Sequence, residues 1–107
     1  MATKTKFTLN PKPTFKKKVP LPIPGDGFED VEFTFKHRTR DEFKEFLDGL
    51  KDRVDDVELL MDIASGWVLE DPFDAENVGR LVQGYPGSAR AVLSTYIDEL
   101  SKAREGN

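Results

Sequence analysis

The residues in this chain best equipped for chemistry are carboxylates, and several come as neighbours: Asp41-Glu42, Asp55-Asp56 and Glu70-Asp71. Acid–base catalysis needs two carboxyls facing one substrate, with environments that drive their pKa values apart. These pairs instead stand at helix starts or in loops, where acids stabilise the positive end of a helix. Glu70, Asp71, Asp74 and Glu76 offer oxygen ligands for calcium but lack the spacing of an EF-hand loop. His37 is the single histidine and there is no cysteine, so zinc would have no second soft ligand and no thiolate is present. No Ser-His-Asp set can be assembled. Gly25 and Gly27 do not lead from a strand into a helix at phosphate-loop spacing. The residues therefore point to a non-enzymatic protein with no metal and no cofactor.

The elements that carry these residues are well punctuated. Phe15 to Ile23 reads as a strand, with Phe15, Val19, Leu21 and Ile23 on one face, interrupted by Lys17. Pro20, Pro22 and Pro24 alternate with them, which strips donors from one edge and makes this an edge strand. Pro24-Gly25-Asp26-Gly27 is a turn. Phe28 to His37 returns, with Val31, Phe33 and Phe35 facing one way. Thr39 and Glu42 form a capping box, followed by the stripe Phe43, Phe46, Leu47 and Leu50. Asp55-Asp56 opens a helix over 55–65 that is apolar nearly all round and therefore central or at an interface. Gly66 ends it, and Trp67 anchors the connection, its indole N–H needing a partner if buried. Asp74 caps a third helix to residue 84, with Phe73 and Val78 at hydrophobic-staple spacing. Gly84-Tyr85-Pro86-Gly87 breaks it. Ser88 caps a fourth helix, 88–104, with the stripe Ala89, Val92, Leu93, Tyr96, Ile97 and Leu100. The expected fold is α+β, mainly α: a β-hairpin over 14–37 packed against a four-helix bundle (39–53, 55–65, 74–84, 88–104). Residues 14–105 form a single domain behind a flexible basic arm, 1–13.

A length of 107 residues allows one modest core. No apolar run approaches the roughly 18 residues of a membrane span. The basic N-terminus lacks the apolar stretch of a secretory signal. Residues 1–20 hold six lysines and no acid, so a net charge of −4 leaves −10 on the remaining 87 residues. An acidic body disfavours nucleic acid. The basic arm suits an acidic surface, its own or that of a neighbouring copy, which suggests self-association into an oligomer or ring.

Three stretches carry a resemblance. FTFKHRTRDEFKEFL (33–47) is an aromatic strand running into a capped helix. DIASGWVLEDPFDAENVGRLVQGYPGSARAVLSTYIDEL (62–100) holds Gly66-Trp67, Pro72-Phe73, Glu76-Asn77 and Tyr85-Pro86-Gly87. With the preceding hairpin, they resemble the tail assembly chaperones of long-tailed bacteriophages. The resemblance implies a small binding protein that holds the tape-measure protein soluble while the tail tube assembles. It implies action in the host cytoplasm and absence from the mature virion. It also implies a longer second product made by ribosomal frameshifting, with Arg104–Asn107 as the end of the short form. A tape-measure protein is expected to be a very long helix with exposed apolar stripes, which an acidic helical protein can cover helix-in-groove. The helix too apolar for a free surface puts Leu59, Ile63 and Trp67 forward as partner-binding residues. The alternative reading is a small cytoplasmic regulator or antitoxin-like adaptor using helices 74–84 and 88–104 as a helix-turn-helix.

Overall fold

Two glycines with positive φ, Gly25 at 80° and Gly27 at 77°, turn the chain at residues 24–27. Asp26 N–H donates to the Ile23 carbonyl and Ile23 N–H to the Gly27 carbonyl, both at 2.8 Å. Pro24 and Gly25 occupy the positions that a type II turn gives to proline and glycine. The turn joins β1 (Thr14–Pro22) to β2 (Phe28–Lys36) in antiparallel register, Thr14 opposite Lys36 and Pro22 opposite Phe28. Ile23 N–H points inward to β2, so N–H groups at even positions of β1 point outward. Pro20 and Pro22 therefore fall on the free edge, where a missing donor breaks no ladder bond. The computed structural model describes residue 5 and residues 7–101. The expected flexibility of the arm's first residues and the extension of the last helix to 104 lie outside the described residues.

The sheet has a third strand that the sequence pattern hides. The helix expected over 55–65 stops early, as α2 (Asp56–Ile63), and Ala64–Trp67 becomes β3. β3 pairs antiparallel with the second edge of β2, placing Trp67 opposite Phe33, Thr34 opposite Gly66 and Phe35 opposite Ala64, with a register irregularity between Thr34 and Phe35. Ala64 and Ser65 tolerate a helix, but β2 offers unpaired backbone groups that a strand can satisfy and a helix cannot. A Cβ on Gly66 would meet Thr34 at 3.7 Å, ordinary contact, so the fit of the two backbones is close but unstrained.

The helices lie on the face of the sheet that carries Val19, Leu21, Val31, Phe33 and Phe35, all buried. Burying a side chain of this size stabilises by about 1.5–3 kcal/mol. α1 (Arg40–Gly49) begins with the capping box at Thr39 and Glu42, both bonds present, and runs into a 3-10 turn at Leu50–Asp52. α2 is capped by Asp55, whose side chain accepts the N–H groups of Val57 and Glu58. α3 (Ala75–Gly84) is capped by Asp74, which accepts the N–H of Asn77. α4 (Ser88–Ser101) packs along β1. Lys17, the interruption on the apolar face of β1, reaches Glu99 of α4 at 3.5 Å. Ser88 does not cap α4. It lies inside the first turn, fully buried, and its hydroxyl donates to the Leu81 carbonyl at 3.3 Å. The tight turn at Tyr85–Gly87 draws Ser88 under α3 rather than leaving it at the open helix end.

A four-helix bundle is not confirmed. α2, α3 and α4 contact one another, and α2 also touches β2 and β3, so α2 is the central helix. α1 joins this layer through Phe46, edge-on to Tyr96 at 5.6 Å. The physical reason is the sheet: once β3 completes it, the apolar stripes of the helices have a flat aromatic surface to cover and need not enclose one another.

Candidate functional site

Two regions of the molecule gather side chains with chemical character. The first is polar and centred on Arg38, at the junction of β2 and α1. Its guanidinium donates to the Tyr96 hydroxyl at 2.8 Å and to Asp62 at 2.9 Å. The Tyr96 hydroxyl donates in turn to the Lys36 carbonyl at 2.8 Å. Arg53 donates to the same Asp62 oxygen. Phe46 lies 4.5 Å from Arg38 and 5.9 Å from Arg53, ring centroid to guanidinium carbon, a cation–π pairing with both. Burial acts to raise the pKa of Asp62, but the Arg53 hydrogen bond and the charge and hydrogen bond of Arg38 outweigh it, holding the carboxyl below its ordinary value. Burial pushes the Tyr96 phenol up, against the Arg38 hydrogen bond. The Thr39 N–H, hydrogen-bonded within the capping box, lowers Glu42.

A cleft of about 490 Å³ opens beside this network, lined by Lys36, Arg38 and Arg53 and by Glu42, Glu45 and Asp62. Three cations face three anions, so the cleft selects neither sign of ligand. Every buried side-chain nitrogen and oxygen among the described residues has a partner. The network clasps β2, α1, α2 and α4 together across sequence separations of 24 and 58 residues. His37 lines this cleft, and no group of three or more His, Asp or Glu among the described residues could hold a metal ion. Of the acids at 70, 71, 74 and 76, two have partners of their own. Asp74 caps α3, and the Asp71 carboxylate lies 3.8 Å from Arg80.

The second region is apolar. Between α2 and α3 lies an open depression of about 780 Å³, lined by Val57, Gly79 and Val82 with Val54, Asp55, Asp56, Glu76 and Arg80 around them. Val54 is 95% exposed, the barest large aliphatic residue among those described. At Asp56 the depression continues into a second of about 410 Å³, lined by Leu59, Pro86, Ala89 and Leu93. Arg90 and Leu93 lead on to a third of about 280 Å³, beside Ile97 and Asp98. The three make one track across α2, α3 and α4. Its floor is aliphatic, and its rim carries Asp55, Asp56, Glu76 and Asp98 against Arg80 and Arg90, a net negative charge.

A family model described as phage tail assembly chaperone matches residues 1–107. The chain belongs to the phage tail assembly chaperone family. No curated protein and no solved structure matches it significantly. Within this tail assembly chaperone, Leu59, Ile63 and Trp67 are not brought together on one surface. Leu59 is 6% exposed on the floor of the track, Ile63 is in the core, and Trp67 is half-buried on β3. The Trp67 indole N–H donates to the Asp71 carbonyl at 2.7 Å, and its ring meets Phe73 edge-on at 5.0 Å. The side-chain amide of Asn77 donates to the Pro72 carbonyl at 2.8 Å. The Gly-Trp, Pro-Phe and Glu-Asn motifs of this family member thus brace the β3–α3 connection. Val54, Gly79, Val82 and Leu93, which shape the track, were not singled out by sequence as binding residues. Only an exposed valine before a helix cap and a glycine inside an amphipathic helix marked the place.

Proposed function

We propose that the protein is a non-enzymatic chaperone that binds the tape-measure protein and keeps it soluble during tail tube assembly, in the host cytoplasm and apart from the mature virion. The track over α2, α3 and α4 is the observation that carries this reading. Its apolar floor suits the stripe of an amphipathic helix, whose side chains recur at i, i+3, i+4 and i+7. Its acidic rim suits basic residues flanking that stripe and keeps the complex soluble. The helix-turn-helix alternative gains nothing from the geometry. The exposed face of α4 carries Arg90, Ser94, Asp98 and Ser101, one cation against one acid, where a DNA backbone would call for a run of cations.

The test is co-expression with the tape-measure protein, the proposed partner. Gly79→Leu fills the track at a site where a Cβ meets only Val57, at 3.8 Å, and thermal unfolding checks that the variant is folded. Wild type should raise the partner's soluble fraction and Gly79→Leu should not. Leu59→Asp is unsuitable for this purpose, because a charge at a 6% exposed position unfolds the domain. Equal rescue by wild type and Gly79→Leu places binding elsewhere. No rescue and no co-purification by wild type removes the tape-measure reading.

A further inference from the structure

The arm that precedes β1 carries two large apolar side chains that nothing covers: Phe7 is 79% and Leu9 90% exposed. Two residues apart in an extended chain, they fall on one face. Around them the sequence places Lys4, Lys6 and Lys12, with no acid before Asp26. An apolar pair flanked by lysines is the chemistry the α2–α3 end of the track selects. There, Val57 and Val82 lie among Asp55, Asp56 and Glu76, three acids against the single cation Arg80. The described residues of the arm do not lie on its own body. Its root is fixed by His37 N–H donating to the Pro13 carbonyl at 2.9 Å, and beyond that the described residues are all exposed. The molecule is 52 Å along its long axis against 31 and 29 Å across. Its radius of gyration of 15.3 Å exceeds the roughly 13 Å of a compact chain this long.

We propose that the arm of one copy docks in the α2–α3 groove of a second copy, Phe7 and Leu9 on the aliphatic floor and the lysines over the acidic rim. The groove is then covered in the absence of a partner, and a longer apolar helix displaces the arm. The proposal uses the groove assigned above but not the identity of its occupant, so the two readings can fail separately.

Sedimentation of the purified full chain, without partner, tests it. Wild type should associate reversibly, less so as salt rises from 50 to 300 mM, because exposed opposite charges are screened over that range. Phe7→Ser/Leu9→Ser in the arm, and separately Gly79→Leu in the groove, should each weaken association by at least about tenfold. The decisive result is the mixture. The arm variant keeps its groove and the groove variant keeps its arm, so the two together should form a one-to-one dimer that neither forms alone. A wild type that is monomeric at every concentration, whether its arm is free or folded onto its own groove, overturns the proposal. So do variants that associate like wild type, or a mixture that stays monomeric. Co-expression separates this from the partner reading. If Gly79→Leu loses partner rescue but self-associates normally, the groove serves the partner and not the arm. If it rescues normally but no longer self-associates, the groove serves the arm and not the partner.

Discussion

The Arg38 end and the α2–α3–α4 track are built from opposite materials. At the first, Arg38, Arg53, Asp62 and Tyr96 bond one another across elements, and aromatic rings fill the space: Phe15, Phe35 and Phe46 all meet Tyr96, with centroids 5.4–6.3 Å apart. At the second, contacts are aliphatic, and Gly79 adds no side chain to the seam between α2 and α3, where Val57 lies 3.8 Å from the position a Cβ would take. A satisfied polar network specifies one arrangement, because a shift of any member strands the others. A loosely filled aliphatic seam specifies no single occupant and can accept a partner of variable shape. The contrast gives one end of the molecule the means of rigidity and the other the surface proposed above for recognition.

The largest effect expected is at the rigid end. Tyr96→Ala removes a fully buried ring and the hydroxyl that joins Arg38 to Lys36, and should cost about 3–5 kcal/mol in urea denaturation. A loss below 1 kcal/mol would mean that the network does not hold the helices in place. Leu93→Ala comes next. Leu93 is half-buried at the rim of the track, where truncation should cost about 1–2 kcal/mol, less than the 2–5 kcal/mol of a core leucine. The full core value would show the track closed in solution and erase the contrast.

Much of this was legible beforehand. The three carboxylate and hydroxyl caps, the hairpin turn, the edge prolines and the apolar α2 all follow from local spacing, because the partners lie within four residues of each other. β3 did not follow. Four residues, Ala64 to Trp67, are too few to show alternation, and their strand state comes from the open edge of β2, more than 25 residues away in sequence. The Arg38 network was hidden for the same reason. Arg38 stood inside a motif as punctuation, and Tyr96 stood in a helical stripe as one apolar residue among six. Nothing near either names the other. The track is emptier still as a signal, since a groove consists of what neighbouring helices fail to fill.

Asp62→Asn sharpens the comparison through pH. The folded carboxyl titrates below the ordinary 3.8, so its contribution is complete above that value and is lost as pH falls through the lower folded value. The variant should be less stable than wild type by about 1 kcal/mol at pH 7, kept small because Asp62 is a third exposed. The difference should shrink below pH 3.8. A constant difference from pH 7 to pH 3 would mean that packing, not charge, is lost. Gly79→Ala is the smallest change and runs the other way. In the middle of α3, with only Val57 at 3.8 Å, alanine should stabilise by about 0.5–1 kcal/mol. A destabilised variant would reveal a seam tighter than its geometry shows.

The prolines on the free edge of β1 bear on what the sheet can recruit. Aggregating proteins commonly recruit one another by adding strands to an unguarded sheet border. With Pro20 and Pro22 turned outward, this border lacks the donors needed to template an incoming strand there. A protein that is to keep an aggregation-prone partner soluble, as proposed above, must not itself seed fibrils. Here the Pro20–Pro22 end of the β1 border cannot template a strand, while the apolar track lies among helices, away from that border.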